Sequence, residues 1–321
     1  MLSSGVSVRL GNGIEVETPD GILVMDPGRA APGSVVTHAH LDHLTPGAHM
    51  TPATLDLLRI RKPGADGLAL GYGVEGRSGG VPFRLHDAGH VFGSAMVEAA
   101  GVLYTGDFNP HDGLTCGRAR PVKCDVLVTE STYGDPRFDL PPKPLVLESV
   151  ERWMLRKLLK GPVALGAYQL GRAQELIALA NRSGIVPVVS GDIGGLSAVY
   201  NAHGHDLAFA VMGSPKAQDL ESGNALYVVP RAYLKKGHDF ARKVRAGGGA
   251  AAYLSGWCHV YQYFEAYDIE AQFSLSDHAG FRDLLAFAEA CAPRQVLTTH
   301  GAAKALAREL RKRGIRAEPL E

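Results

Sequence analysis

Three histidines and an aspartate fall within six residues of this chain, in the segment His38-Ala39-His40-Leu41-Asp42-His43. The apolar residues Val35 and Val36 precede the segment, so we expect it to follow a short strand. These polar side chains cannot all be buried unpaired, because that would cost several kcal/mol in total. At a strand end followed by a turn, however, they can converge on a small volume. A simple surface cluster is the weaker interpretation of this spacing.

The spacing within this cluster predicts a metal site. His38 and His40 are two residues apart, so both can face the same side of an extended chain. Asp42 and His43 lie past the bend and can serve a second position. Nitrogen and oxygen ligands of this kind suit Zn²⁺ or a similar transition metal. The chain has 13 histidines, which is many for 321 residues, and imidazole is the commonest metal ligand in proteins.

Two further candidates for metal ligands stand near predicted strand ends. His90 lies in a segment with a glycine on either side, and Asp107 follows the apolar run Val102-Leu103-Tyr104. An aspartate in that position can bridge two metal ions through its two oxygens. Two ions about 3.5–4 Å apart can generate a hydroxide and stabilise a phosphoryl oxygen in one site. Alone, His90 or Asp107 could be an ordinary polar residue, but together with the histidine cluster they indicate a two-metal centre.

Strand and helix patterns divide the chain into two α/β domains. Short strands dominate up to residue 140, with one helix at 51–62 that Thr51 can cap. Three prolines between 141 and 144 mark a boundary, after which strands alternate with helices, a pattern typical of a parallel sheet. We predict one domain from 1–140 and 255–321, with a second domain, 141–254, inserted into it. The other predicted helices cover 145–160, 172–182, 194–202, 281–291 and 302–313.

Composition excludes several classes of protein. A hydrophobic content of 45% and a charged content of 21% are those of a soluble globular protein. The four cysteines are scattered without a C-x-x-C pair, so we expect neither a thiolate zinc site nor disulfides, which suggests a reduced, cytoplasmic setting. The first residues do not resemble a secretory signal, and no apolar run approaches the ~20 residues of a membrane span.

The zero net charge hides an uneven distribution. Residues 1–130 carry 10 basic and 14 acidic residues, a net charge of −4, whereas residues 141–250 carry 14 and 8, a net charge of +6. Any single lysine or arginine of the basic segment is best interpreted as a solvated surface residue. As a block, the basic segment suggests an anionic partner.

In order and spacing, these motifs resemble the metallo-β-lactamase superfamily. That resemblance implies an αββα sandwich, and it implies that Asp26, at the end of Gly21-Ile22-Leu23-Val24-Met25-Asp26, orients a ligand from the second coordination shell. It also implies two zinc ions with shared ligands. The first ion would be held by His38, His40, His90 and Asp107, and the second by Asp42, His43 and Asp107, with Asp42 also counted among the catalytic residues.

Four later segments resemble the β-CASP branch of that superfamily, in which an α/β domain is inserted. They are Glu130-Ser131-Thr132-Tyr133-Gly134, Gly171-Arg172-Ala173-Gln174-Glu175-Leu176, Ser276-Asp277-His278-Ala279-Gly280 and Thr299-His300-Gly301. The resemblance implies that His300 completes the second zinc site and that His278 is the general acid for the leaving oxygen. It implies that Glu130 orients the imidazole of His278 and stabilises its charge.

Two residues are further candidates for substrate contact. Arg172 opens a helix after a strand, where its guanidinium could pair with a phosphate through two hydrogen bonds. Ser94 follows the His90 segment. The alternative for the Arg172 segment is a packed helix start with Glu175 facing solvent, and we expect Gln174 and Glu175 to be structural in either case. The remaining seven histidines lack supporting context, and we treat them as ordinary polar residues.

The closest resemblance is to short β-CASP proteins that are similar to mRNA 3′-end processing factors or to DNA-ligase-associated exonucleases. It implies a zinc-dependent nuclease, more consistent with an exonuclease than an endonuclease, which acts on single-stranded RNA or DNA in RNA processing or DNA repair. Mn²⁺ is an alternative ion, and a homodimer is left open. The rival hypotheses are a small-molecule hydrolase of the thioesterase or lactonase type and a zinc-binding protein without catalysis.

Overall fold

The structure, a computed structural model, describes residues 5–40 and 45–321. It divides the chain into two compact units. Unit 1 comprises Met1–Asp139 and His278–Glu321, and unit 2 comprises Leu140–Asp277. The sequence patterns place the return to the first domain at residue 255. In the structure it comes later, because the strand at Ala271–Phe273 pairs with the strand at Ala250–Leu254 in the sheet of unit 2.

Strands predominate up to Glu130, and strands and helices alternate over most of the chain that follows. The strands are β1 Ser7–Gly11, β2 Gly13–Thr18, β3 Gly21–Met25, β4 Ala48–Met50, β5 Gly67–Ala69, β6 Glu75–Ser78, β7 Val81–Asp87, β8 Ala95–Ala99, β9 Val102–Tyr104, β10 Val126–Glu130, β11 Val163–Ala167, β12 Val188–Val189, β13 Ala210–Val211, β14 Leu226–Pro230, β15 Ala250–Leu254, β16 Ala271–Phe273, β17 Gln295–Thr299 and β18 Ala317–Pro319. The helices are α1 Pro52–Arg61, α2 Lys143–Leu158, α3 Arg172–Arg182, α4 Gly191–Ala202, α5 Pro215–Glu221, α6 Asp239–Ala246, α7 Phe281–Cys291 and α8 Ala303–Lys312.

Two sheets form the centre of unit 1. Strands β1, β2 and β3 are antiparallel, and single-residue bridges of Val35 to Met25 and His49 connect them to the parallel pair β4 and β5. The second sheet has seven strands in the order β18-β17-β10-β9-β8-β7-β6. Its first four strands are parallel to one another, and the remaining pairs are antiparallel.

Buried apolar side chains fill both faces of the seven-stranded sheet. One cluster lies between the two sheets and includes Val16 and Leu23 from the first and Leu85 and Val97 from the second. A second cluster packs α7 and α8 against the opposite face of the seven-stranded sheet. Helix α1 buries its apolar side beside β5. These layers are those of an αββα sandwich, and they confirm the predicted fold class.

Unit 2 is built on one fully parallel sheet of six strands, in the order β13-β12-β14-β11-β15-β16. The strands β11, β14 and β15 are short and almost wholly buried, and α-helices separate the strands from β11 to β15 along the chain. This is the pattern of βαβ units that the sequence predicts for the inserted domain.

The local signals explain most element boundaries. Helix α1 begins where expected, because the Thr51 hydroxyl accepts a hydrogen bond from the Thr54 N–H and Pro52 occupies the first turn. The patterns do not predict α5 and α6 or the short strands β4, β5, β6 and β13, whose lengths leave little periodicity to detect. No helix in the described part of the chain is long and apolar enough to cross a membrane.

Candidate active site

Strand ends carry the candidate residues of unit 1. Asp26 follows β3, Asp107 lies three residues after the end of β9, Glu130 is the last residue of β10, and His300 follows β17 directly. Strands β9, β10 and β17 are parallel neighbours, so their carboxyl ends lie at one edge of the sheet. Polar side chains distant in sequence therefore collect at this edge.

Four of the predicted metal ligands come together in the structure. One ligand atom each from His38, His40, His90 and Asp107 lies within 4.8 Å of the other three. The Asp107 carboxylate oxygen Oδ2 is 3.5 Å from His38 Nε2 and 3.7 Å from His90 Nε2. The three imidazole rings meet edge to face, with centroids 4.7–5.4 Å apart. All ligand atoms can thus face one small volume.

The chemistry of this group fits a zinc ion. Burial, and then the charge of neighbouring His38, lower the pKa of His40 well below its usual value, so its imidazole is neutral, as a metal ligand must be. Three imidazole nitrogens and one carboxylate oxygen form a donor set that zinc accepts. These four residues could therefore hold a metal ion.

A hydrogen-bonded chain behind the group orients His38. The Asp26 carboxylate accepts hydrogen bonds from the Thr37 N–H, at 2.8 Å, and from the Thr37 hydroxyl, at 2.6 Å. Because the hydroxyl proton is directed at Asp26, Thr37 Oγ1 accepts from His38 Nδ1, at 2.9 Å. The His38 ring is then protonated at Nδ1, and Nε2 faces Asp107. This is how a carboxylate outside the ligand set orients a ligand.

Tyr104 adds a third hydrogen-bond donor to Asp26. Its hydroxyl donates to Asp26 Oδ2 at 3.0 Å. Burial, together with the Asp26 and Asp107 carboxylates, raises the pKa of Tyr104 well above its usual value, so the hydroxyl keeps its proton. Asp26 has a φ of 47°, in the left-handed region that aspartate tolerates better than most residues. The carboxylate is therefore held by three hydrogen bonds at a constrained turn.

Ser94 holds the loop that carries His90. Its side chain is fully buried, and Oγ accepts hydrogen bonds from the backbone N–H groups of His90, at 3.1 Å, and Val91, at 3.2 Å. The Thr54 hydroxyl donates to the Gly93 carbonyl in the same loop, at 2.9 Å. Sequence reasoning names Ser94 as a candidate for substrate contact, but full burial favours a role in positioning His90.

The buried Glu130 and the partly buried His278 form a pair beside the metal-ligand group. His278 Nδ1 lies 2.9 Å from Glu130 Oε2, and the Phe108 N–H donates to Oε1 at 2.8 Å. Burial alone would raise the pKa of Glu130, but the charge and hydrogen bond of His278, with hydrogen bonds from Thr132 and Phe108, outweigh it and lower the pKa. Glu130 is therefore a carboxylate. Asp107 lies close enough to Glu130 and His278 to form a second group of potential ligands with them.

The structure describes only some of the residues predicted to hold the second metal ion. Asp42 and His43 lie outside the described residues. His300 is exposed, its φ is 57°, and its carbonyl accepts a hydrogen bond from the Ser131 hydroxyl. Within 5–40 and 45–321, no group of residues that could hold a metal includes His300. The role of His300 stays a prediction from the family resemblance.

In unit 2, Arg172 is buried and forms an ion pair. It is 3% exposed, and its Nη2 lies 3.1 Å from Asp277 Oδ2. Glu175 is buried and pairs with Lys143 at 2.6 Å, so the suggestion that it faces solvent is wrong. Gln174 bonds to the Gly171 N–H and to the Gln169 carbonyl. Gln174 and Glu175 therefore stabilise the start of α3.

Sequence reasoning missed three residues that support the site. Thr37 and Tyr104 hold Asp26, and the Asn109 amide lies 3.4 Å from the His278 carbonyl. The available signal was position, since Thr37 directly precedes the histidine cluster and Tyr104 lies three residues before Asp107. Two histidines that we treat as ordinary, His86 and His111, pair with Glu98 and Asp283.

Several known proteins are similar to this chain. Residues 267–318 match the family described as the Zn-dependent metallo-hydrolase RNA specificity domain. A probable DNA ligase from Opitutus terrae is 31% identical over 302 residues, which cover 88% of this chain and 28% of that protein. An RNase J-like protein from Methanocaldococcus jannaschii is 29% identical over 219 residues, 52% of this chain and 51% of the relative.

Together with the motifs described above, these matches support a resemblance to the β-CASP branch of the metallo-β-lactamase superfamily. The chain spans about half, or less, of the length of these relatives. A crystal structure of a protein of unknown function from Enterococcus faecalis V583 has the same fold as this chain. Its TM-score is 0.65 at 14% identity, over 98% of this chain and 96% of that one.

Proposed function

We propose that this protein is a metal-dependent nuclease that hydrolyses phosphodiester bonds in single-stranded RNA or DNA. The observation that supports this most strongly is the Glu130–His278 pair beside the His38, His40, His90 and Asp107 group. Phosphodiester hydrolysis needs charge neutralisation at the phosphate and an acid for the leaving oxygen, and these two groups offer both. The match to an RNA specificity domain and the nuclease and ligase names of the relatives support the same substrate class.

The chain's own residues would hold the metal. One ion would bind to His38, His40, His90 and Asp107, and a second to Asp42, His43, Asp107 and His300. Bound zinc, or Mn²⁺ as an alternative, would supply Lewis acidity and an activated water. The hydrogen bonds from Asp26 through Thr37 would keep His38 Nε2 directed at the ion.

His278 would deliver the proton. Because Nδ1 is held by Glu130, the proton for the leaving oxygen would be on Nε2. Glu130 is a buried carboxylate, so it stabilises the imidazolium form of His278 and fixes the orientation of the ring. A histidine placed in this way is a suitable general acid near neutral pH.

Three finer functional assignments rest on the family resemblance. They are cleavage from a strand end, a role in RNA 3′-end processing or decay or in DNA repair, and two zinc ions. The proposed cytoplasmic location rests on the scattered cysteines, and a homodimer is left open.

The test uses 5′- and 3′-labelled RNA and DNA oligonucleotides with Zn²⁺ or Mn²⁺ present. We expect metal-dependent cleavage, and the product ladder distinguishes RNA from DNA, one polarity from the other and end cleavage from internal cleavage. His278→Ala should keep its zinc and lose most cleavage, since a general acid contributes about 10²–10⁴-fold. Asp107→Ala should lose both zinc and cleavage.

Two outcomes would contradict the proposal. Full activity in His278→Ala would remove the assigned acid. Turnover of a thioester, with no action on any labelled oligonucleotide, would instead favour the small-molecule hydrolase. Zinc content measured on each variant separates loss of metal from loss of proton transfer.

A further inference from the structure

We propose that Tyr168, with Arg172 and Arg231, forms a nucleobase-stacking subsite at the carboxyl edge of the sheet in unit 2. The inference rests on the proposed function, because it assigns a subsite for the same single-stranded substrate. None of these three residues belongs to the metal-ligand group or to the Glu130–His278 pair.

The topology of unit 2 brings the three residues together. Strands β11 and β14 are parallel neighbours, paired from Val163 with Leu226 to Ala167 with Pro230. Tyr168 follows the last residue of β11, and Arg231 follows the last residue of β14. Arg172 begins α3, the helix that leaves β11. The carboxyl edge of a parallel sheet is where α/β folds place ligands.

Both guanidinium groups lie against one exposed ring. The Cζ of Arg172 is 5.1 Å and the Cζ of Arg231 is 5.3 Å from the centroid of the Tyr168 ring. Distances below about 6 Å are those of cation–π contacts. Tyr168 nevertheless remains 41% exposed. The neighbouring Tyr253 is fully buried, so packing at this edge does not by itself leave an aromatic ring open to solvent.

The residues around Tyr168 are firmly held. Arg172 is buried and paired with Asp277, the residue directly before His278 in the chain. Arg231 Nη1 lies 3.4 Å from the Tyr253 hydroxyl, and the Tyr253 ring stacks on Tyr267 with centroids 5.3 Å apart and planes at 16°. The subsite therefore rests on packed side chains, and little ordering is needed when a ligand binds.

The chemistry of this surface matches a single nucleic-acid strand. An exposed aromatic ring stacks with any base, and guanidinium groups both stack on bases and pair with phosphates. Arg172 is buried and paired with Asp277, so the exposed Arg231 is the group that can reach a phosphate. An uncharged ring would leave the charge of Arg231 unused, and an inorganic anion would leave the Tyr168 ring unused. A base with its phosphate uses both, so we expect binding with little sequence preference.

The local arginines, more than the charge of the whole unit, carry this argument. Unit 2 has 14 basic and 12 acidic residues, a net charge of +2. So small an excess provides little general attraction for a polyanion.

The experiment measures binding of a fluorescent single-stranded oligonucleotide to the full chain by anisotropy, with cleavage assayed separately. Tyr168→Ala should raise the Kd about ten- to hundredfold, the range seen when a stacking residue is removed. Tyr168→Phe keeps the ring and should restore most of the affinity. Leu159→Ala, at an exposed position after α2, is the surface control and should bind as the wild type does.

An oligonucleotide with abasic positions provides a second measurement that does not depend on how a variant folds. Wild type should bind it more weakly than the intact strand, whereas Tyr168→Ala should discriminate less between the two. Equal binding by wild type and Tyr168→Ala, or equal binding of intact and abasic strands by wild type, would overturn the stacking subsite alone. If the wild type neither binds nor cleaves any oligonucleotide, the proposed nuclease function fails as well.

Discussion

At the scale of single residues, one threonine determines how a metal ligand is presented. The Thr37 hydroxyl has a single proton, which it donates to Asp26, so it can only accept from His38. The Asp26 carboxylate, the Thr37 hydroxyl and the His38 imidazole can therefore form their hydrogen bonds in only one set of directions. Tyr104 and the Thr37 N–H keep Asp26 in place from other directions. The His38 tautomer follows from this hydrogen-bond inventory.

We predict that Thr37→Val weakens zinc binding about 10–100-fold, because loss of a group that orients a metal ligand has that cost. Valine keeps the shape and the backbone N–H, so the fold should be retained. Thr37→Ser keeps the hydroxyl and is the matched control. Competition with a zinc indicator measures the affinity, and unchanged affinity in Thr37→Val would show that the hydroxyl does not orient His38.

At the scale of elements, a buried ion pair joins two helices of unit 2. Lys143 is the first residue of α2 and is 8% exposed, and Glu175 lies in the first turn of α3 and is 2% exposed. Their charged atoms are 2.6 Å apart. Taking charges out of water is costly, so such a pair fixes the approach of two elements more than it adds stability.

Glu175→Gln should lower the free energy of unfolding by about 3–5 kcal/mol, since a buried lysine would then lose its charged partner. The double variant Lys143→Met with Glu175→Gln should recover much of that loss. Urea unfolding of the wild type, both single variants and the double variant completes a thermodynamic cycle. If the effects of the two single changes simply add, the ion pair does not couple α2 to α3.

At the scale of the whole molecule, the two units differ in what they contain. All described candidates for metal ligands lie in unit 1, whereas the proposed stacking subsite lies in unit 2. The net charge of unit 2 is also smaller than that of the segment 141–250. Residues 251–277, which belong to unit 2, add four carboxylates and no basic residue. A basic block at 141–250 therefore becomes a nearly neutral unit.

Metal removal should destabilise unit 1 and leave unit 2 unaffected. A ligand that binds only the native state stabilises it by about 2.7 kcal/mol at one hundred times its Kd. With chelator, calorimetry should show one transition moving to lower temperature and the other unchanged, and added Zn²⁺ should reverse the shift. Asp107→Ala should make the first transition insensitive to chelator. If both transitions shift together, the units do not unfold independently.

Residue spacing predicts the metal-ligand candidates and the alternation of strands and helices. Both depend on local periodicity, or on polar groups that have no reason to cluster unless they share a ligand. The roles of Glu130 and His278 came from the family resemblance instead. The hydrogen bonds of Thr37 and Tyr104 were not predictable in this way. Thr37 meets Asp26 through the bridge of Val35 to Met25, and Tyr104 meets Asp26 only when β3 and β9 pack together.

Two further features could be found only from the tertiary structure. They are the end of unit 2 at Asp277 and the contacts of Tyr168 with Arg172 and Arg231. Strand β16 is only three residues long, and its membership in the sheet follows from pairing with β15. The role of Ser94 could not be predicted from sequence for the same reason. A serine near a metal ligand can contact substrate or hold a loop, and only the burial of its side chain distinguishes these two roles. Sequence patterns report on neighbours along the chain, whereas burial and long-range hydrogen bonds are properties of the packed molecule.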